Sequence, residues 1–332
     1  MSESSFGVVG VGNALVDVLC HADEDFVAQA CRAHGAEKGF FALINETDAV
    51  KLYDSMPPGI EASGGSAANT MAGFASFGGN GAFIGKVSDD LLGKVFQHDL
   101  RAQGIFYGTE PLAIGPATGR CLILITPDAQ RTMFACTGAS TELSPDDIDP
   151  DVVSSSRITY LEGYSFEAHQ SKKAFYRAAE IAHEAGHRIA LTLSDPFCVD
   201  RHRHDFIQLV QNHVDILFAN EEEIKSLFMT QTFEDAASAV NGHCSIAVLT
   251  RSEKGAVIVS GGKQIVIPIH PVAHVVDTTG AGDQFAAGVL YGLSRDMPLE
   301  TCGKLGALAA AEIISHMGGR PEIPLKTLLK DL

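Results

Sequence analysis

The sequence predicts an α/β fold in which a mainly parallel sheet is covered on both faces by helices. Three observations predict it. From residue 157 the β-rich runs "RITYLEGY", "HRIALTLS", "VDILFAN" and "SIAVLT" alternate with helical stretches such as "SKKAFYRAAEIAHEA" and "EEEIKSLF", a rhythm that implies right-handed crossovers between parallel strands. "GAVIVSGGKQIVIPI" breaks the rhythm with two β-prone runs around Gly261-Gly262, the pattern of a hairpin. Two earlier segments, approximately 18–62 and 106–136, are β-rich without alternating. They are expected to meet in a small sheet that lies as a lid over the strand ends of the main one.

The elements follow in chain order. "FGVVGVGNALVDVLC" is Val-rich and broken by Gly, a buried strand running into a turn at Gly12-Asn13. "SAANTMAGFASFG" repeats small and apolar residues at helical spacing and stops at Gly78-Gly79. "GAFIGKVS" is strand-like and "LLGKVFQHDLRAQG" helical, while "RCLILITPDAQRTMFAC" reads as two strands joined at Pro127-Asp128. After the hairpin come "DTTGAGDQFAAGVLYGL" and a last Ala-rich helix, "LGALAAAEIISHM". No repeat or long linker divides the chain, which we read as one domain over 1–332.

Composition narrows the function. A chain of 332 residues, 45% hydrophobic and 20% charged, is a soluble globular protein able to bury a large core. Lys plus Arg number 24 against 41 Asp plus Glu, a net charge of -17 that disfavours nucleic acid and acidic membranes as partners and leaves small molecules. Cys20, Cys31, Cys121, Cys136, Cys198, Cys244 and Cys302 are scattered without a C-x-x-C pair, as in a reduced, cytoplasmic protein. "MSESSFGVVGVG" has no basic segment before its apolar run, and nowhere do 18 apolar residues run together, so neither a signal peptide nor a membrane span is expected.

Several familiar motifs fail on context. "HEAGH" at 183–187 has the spacing of a zinc helix, but Gly186 precedes a strand-like run and should end the helix before His187. "RHRHD" at 201–205 reads as a solvated loop or helix start. "GVGNAL" has Leu15 where a dinucleotide fingerprint needs its third glycine, and no P-loop occurs.

What remains is a set of polar residues at strand ends, where open α/β sheets bind ligands. Asn13 and Asp17 follow the first strand, and Asn69 lies early in the helix opened by "SGGSAAN". Asn220 and Glu223 follow "VDILFA", where they could equally form a capping box. In "DTTGAGDQF" a helix beginning at residues 280–283 would turn unpaired N–H groups toward an anion, with Asp283 at its positive end. Locally, Asp283 could be a catalytic group or only a cap.

Together, and in this order, "GGSAANTMAGFASFGG", "NEEEI" and "DTTGAGDQFAAGVLYGL" resemble the ribokinase (PfkB-type) family of sugar and nucleoside kinases over essentially the whole chain. "GNALVD", "ASGGSAANT", "DAQRTMFACTGAS" and "YLEGY" are most similar to its adenosine kinase branch. The resemblance implies a ribokinase-like three-layer α/β/α fold and transfer of the ATP γ-phosphate to a primary hydroxyl, of adenosine or another purine nucleoside or alternatively of a free sugar such as ribose, fructose or a ketosugar acid. A catalytically silent ligand-binding protein is the reading from another class. By the same resemblance Asp283 is the general base, and Gly280, Ala281, Gly282 and Asp283 form a backbone anion hole. Arg131 neutralises phosphate charge from the lid. Asn13, Asp17, Gly64, Gly65 and Asn69 hold the acceptor, and Tyr164 stacks on a purine or merely ends a core strand. Thr250 to Gly255 and His316 to Gly318 form the nucleotide side, with Ser252 where many relatives carry glycine. Asn220 and Glu223 order Mg²⁺, through water, and Asp277 and Thr279 match positions that bind a monovalent cation such as K⁺ in some relatives. A monomer or a homodimer is compatible with all of this.

Overall fold

The computed structural model describes residues 5–128 and 130–331. Residues 1–4, on which the expectation about a signal peptide partly rests, Ala129, between the joined strands, and Leu332 lie outside them. In chain order the strands are β1 (Phe6–Val11), β2 (Leu15–His21), β3 (Phe41–Leu43), β4 (Ile60–Gly64), β5 (Gly81–Ile84), β6 (Phe106–Tyr107) and β7 (Thr118–Ile125), then β8 (Arg131–Gly138), β9 (Ser156–Glu162), β10 (Arg188–Thr192), β11 (Ile216–Asn220), β12 (Ile246–Thr250), β13 (Ala256–Ser260) and β14 (Lys263–Ile267). Nine of them form one sheet in the order β14-β13-β12-β11-β10-β9-β1-β5-β6. It is parallel from β6 to β12, β13 alone runs against it, and β14 turns back at the hairpin to the direction of the other strands.

Both faces of this sheet are apolar, so its strands read as continuous hydrophobic runs. In β1, Val8 packs into one core with Phe74, Phe83 and Leu290, while Val9 and Val11 pack into the other with Phe166, Phe175 and Phe206. This is a ribokinase-like α/β fold. No helix among the described residues is long and apolar enough to cross a membrane.

The remaining strands form a second sheet in the order β3-β8-β7-β2-β4. Its strands lie at 15–64 and 118–138, so Phe106 and Tyr107, expected in the accessory sheet, instead pair with β5 in the large one. The chain crosses between sheets at Gly12–Ala14, where β1 ends and β2 begins. That crossing lies beside the end of β9, at the point where strand order departs from β1 in both directions, and this is where such sheets bind ligands. Two histidine motifs end up in ordinary positions. The helix His169–Glu184 stops before Gly186 (φ 75°), which puts His187 beyond it. "RHRHD", expected in a loop or helix start, lies inside the helix Pro196–Asn212, where His202 marks a local break.

Candidate active site

The helix Ala281–Leu293 starts from Gly280, whose φ of 75° is left-handed and whose Cβ, if present, would lie 2.9 Å from the Cα of Gly319. Gln284 N–H closes the first turn onto Gly280, and Ala281 N–H donates to Thr278 O at 3.2 Å. Among the described residues, the N–H groups of Gly280, Gly282 and Asp283 have no partner, so three of the four expected donors are free for an anion. They border a cavity of about 280 Å³ that opens at the ends of β10, β11 and β12, lined there by Thr192, Asn220 and Thr250.

Asp283 is not spent on capping its own helix. Its Oδ1 accepts from Ser66 Oγ at 2.6 Å and its Oδ2 faces Asn69 Nδ2 at 3.4 Å, both across a sequence gap of more than 200 residues. Burial pushes its carboxyl up to about 7, against those two hydrogen bonds and with the charge of Asp17 adding to the rise. Glu162, at the end of β9, accepts from Ala67 N–H and from Asn13 Nδ2, each at 2.9 Å, and burial raises it to about 7 as well. Gly65 (φ 95°) starts the helix Ser66–Ser76, and Glu162 supplies the carboxylate at that helix N-terminus.

Asp17 projects from β2 directly over Gly64, where an added Cβ would meet its Cγ and Oδ1 at 2.3 Å. Burial lifts Asp17 to about 6, while Arg320 and Arg131 pull it down. Arg320 donates from Nε to Asn69 Oδ1 (3.2 Å) and from Nη1 to Ser63 Oγ (2.5 Å). Asn69 therefore sits between the base and this arginine, its amide orientation fixed by both.

Such a base at a helix N-terminus beside a polar cavity suits proton removal from an alcohol with an anion held nearby. The sequence pattern of the pfkB family carbohydrate kinases matches residues 60–326. The chain belongs to that family. It is similar over 98% of its length to the adenosine kinase of Sinorhizobium meliloti, with 44% identity, 99% of that chain covered and a TM-score of 0.91. A probable sugar kinase of Rhizobium etli CFN 42 is 43% identical over 99% of this chain and 98% of its own, with a TM-score of 0.92. The 5-dehydro-2-deoxygluconokinase of Geobacillus kaustophilus (strain HTA426) is 29% identical over 266 residues, 76% of this chain and 78% of that one. The protein is thus an ATP-dependent kinase whose acceptor is an alcohol group of a sugar or nucleoside.

The kinase's donor set can be tested against the ions its family suggests. Asn220 and Glu223 form a complete capping box, with Asn220 N–H and Nδ2 on the two oxygens of Glu223 at 2.9 and 2.6 Å. Burial, opposed by the Asn220 hydrogen bond and helped by the charges of Asp195 and Asp283, raises Glu223 to about 7. Carboxylates that repel one another around a cavity fit a hard divalent cation, and since both Glu223 oxygens are occupied the fit is through water. Asp277 is different. Its carboxylate accepts from Thr279 N–H (3.0 Å) and Gly318 N–H (3.1 Å), and Arg131 Nη1 approaches it at 2.8 Å. Positive partners already surround it, so Asp277 and Thr279 as arranged do not fit a monovalent cation.

Other expected residues fall elsewhere. Arg131, from β8, reaches no cavity-lining position: it is buried against Asp277, and although the pair is close, its guanidinium nitrogens make no aligned hydrogen bond among the described residues. Asn13 turns its amide into the buried pair with Glu162, which makes its effect on an acceptor indirect. Tyr164 lines the cavity with Asn220 and Glu223, whereas Asp17 does not line it. Thr250 lines the cavity, whereas Gly255 (φ 81°) only closes the turn from β12 to β13. Ser252 keeps a left-handed φ of 51°, so the loop holds the conformation that glycine would allow. His316 turns to Glu312 Oε1 (3.1 Å) in a knot that also takes the N–H groups of Glu322 and Ile323, and does not line the cavity. Sequence reasoning missed Ser66, Glu162 and Arg320. "YLEGY" and "MGGRPE" contain the last two, but only the fold shows which way they face.

Proposed function

We propose that this kinase phosphorylates a primary hydroxyl of a ribose-containing acceptor, with adenosine or another purine nucleoside preferred. The observation that carries the chemistry is the Asp283 carboxylate, free of capping, held by Ser66 and Asn69 and raised to about 7 beside three unpaired N–H groups at the helix start. In this reading Asp283 takes the proton of the acceptor hydroxyl as it attacks the γ-phosphate of ATP, a contribution of roughly 10²- to 10⁴-fold. The N–H groups of Gly280, Gly282 and Asp283 hold charge on the transferring phosphoryl group, each such donor being worth about 10²- to 10³-fold. Asp17, Gly64 and Asn69 hold the acceptor, and the small sheet from which Asp17 projects covers it as a lid that keeps water out. Mg²⁺, ordered through water by Asn220 and Glu223, would supply screening of phosphate charge.

The acceptor class rests on the 44% identity to an adenosine kinase across almost the entire chain. A second reading, a free-sugar kinase, is favoured by the likeness to a 5-dehydro-2-deoxygluconokinase. An ADP-release assay with purified protein, ATP and Mg²⁺ against adenosine, other nucleosides, ribose, fructose and ketosugar acids separates them. Turnover of a free sugar with none of any nucleoside would sink the first reading.

A further inference from the structure

The loop that carries Arg320 follows the helix Leu299–Ile313 and passes between Gly280 and Asn69. It fits there because Gly319 has no side chain, since a Cβ would stand 2.9 Å from Asn69 Nδ2. Gln284 Nε2 pins it by donating to Gly319 O and Asn69 O, both at 3.0 Å. Arg320 is thereby delivered to the acceptor side, where Nε and Nη1 are spent on Asn69 and Ser63. Its Nη2 is buried with no partner among the described residues. Asp17 is close enough for its charge and that of Arg320 to act on each other, yet the two form no ion pair and Asp17 accepts no hydrogen bond among the described residues.

A buried N–H donor without a partner and a neighbouring carboxylate that accepts no hydrogen bond would both be satisfied by a group that can accept from one and donate to the other. A hydroxyl does both. A carboxylate would satisfy the arginine but meet Asp17 and Asp283. We infer that Arg320 is a specificity-determining residue of the acceptor site: its free Nη2–H donates to an acceptor hydroxyl whose hydrogen goes to Asp17, so that the site selects an uncharged acceptor with an intact vicinal diol. Removing one hydroxyl leaves a buried donor unpaired, which is why such sites discriminate strongly against deoxy analogues.

The inference deepens the proposed function and rests on it only in taking Asp17 to face the acceptor. The test compares kcat/KM for adenosine, 2′-deoxyadenosine and 3′-deoxyadenosine in the native protein, Arg320→Gln and Arg320→Lys. Native protein should prefer the diol over at least one deoxy analogue by about a hundredfold or more. In Arg320→Gln that preference should shrink about tenfold or more, through a raised KM for adenosine, with the disfavoured deoxy analogue nearly unchanged. Arg320→Lys, which keeps the charge, should recover part of it and guards against a Gln variant that fails to fold. Equal losses for diol and deoxy substrates in either variant would make Arg320 merely structural and overturn the inference. So would a sugar acid turned over better than every neutral acceptor. If only a neutral free sugar is phosphorylated, the same series with that sugar and its deoxy forms tests Arg320 while the nucleoside reading alone fails.

Discussion

Replacing Asp283 by Asn tests the base and its surroundings in one variant. Asn is nearly the same size and can still accept from Ser66, but it cannot take a proton. The loss of general-base help of about 10²- to 10⁴-fold corresponds to roughly 3 to 5 kcal/mol of barrier. The same carboxylate also costs stability. Its pKa rises from 3.8 to about 7, first because burial disfavours the charge. A raised folded-state pKa means that the folded protein binds the proton more tightly than the unfolded chain. The associated stability is fully present below pH 3.8 and is lost as pH climbs through about 7. Three units would be worth roughly 4 kcal/mol. Asp283 lines an open cavity, where solvent screening reduces this to about 2 kcal/mol. Asn does not titrate, so the variant should be the more stable protein at pH 8, with its advantage growing by about 1 to 2 kcal/mol between pH 5 and pH 8. Urea midpoints at the two pH values and kcat from ADP release over pH 5–9 measure both effects. Native kcat should rise with pH and level off above about 7, a limb that Asp283→Asn lacks. An unchanged rate would remove the base. A stability difference that is the same at pH 5 and pH 8 would refute the desolvated carboxylate.

Three further outcomes follow from the geometry. Gly64→Ala places a methyl 2.3 Å from the Asp17 carboxylate; KM for the acceptor should rise about tenfold or more while KM for ATP stays within about twofold, since only the acceptor touches Asp17 in the proposed site. Arg131→Gln leaves Asp277 charged and buried without its cation, so thermal or urea unfolding should show a loss of about 3 kcal/mol, part of which the double variant with Asp277→Asn regains. Asn220→Ala breaks the capping box, and should cost about 1 kcal/mol of stability while raising the Mg²⁺ concentration needed for half-maximal rate. A normal Mg²⁺ titration in that variant would detach Asn220 from the metal.

What could be read from the sequence was what is local. The alternation of strands and helices, the hairpin at Gly261-Gly262 and the helix start in "DTTGAGDQF" depend on residues within a few positions of one another, and each appears in the structure. The partners of the site do not. Asp283 meets Ser66 across 217 positions, Asn13 meets Glu162 across 149, and Arg320 meets Ser63 across 257. No periodicity carries such pairings. Asn13 and His316 were misplaced for a related reason: a polar residue next to a site can as easily turn to a buried carboxylate behind it, and both did. "RHRHD", expected in a loop or helix start, lies in a helix that began five residues earlier at Pro196 and breaks locally at His202, a continuation that its own five residues give no sign of.

The charges in this pocket also make acceptor binding and base strength interdependent. Asp17 is among the causes that hold the Asp283 proton in place, and Asp17 itself, at about 6, is mostly ionised at neutral pH. An acceptor that donates hydroxyl hydrogens to Asp17 stabilises that negative charge, and so maintains the proton affinity of Asp283 at the moment a proton must be taken. Asp17→Asn removes the charge while keeping the shape. The rising limb of kcat against pH, measured at saturating acceptor, should then move to lower pH by about half a unit to one unit, and the plateau rate should fall because the base is weaker. KM for the acceptor should rise separately, through the lost hydrogen bonds. A limb that stays in place while KM rises would show that Asp17 only binds, and that the base owes its strength to burial alone.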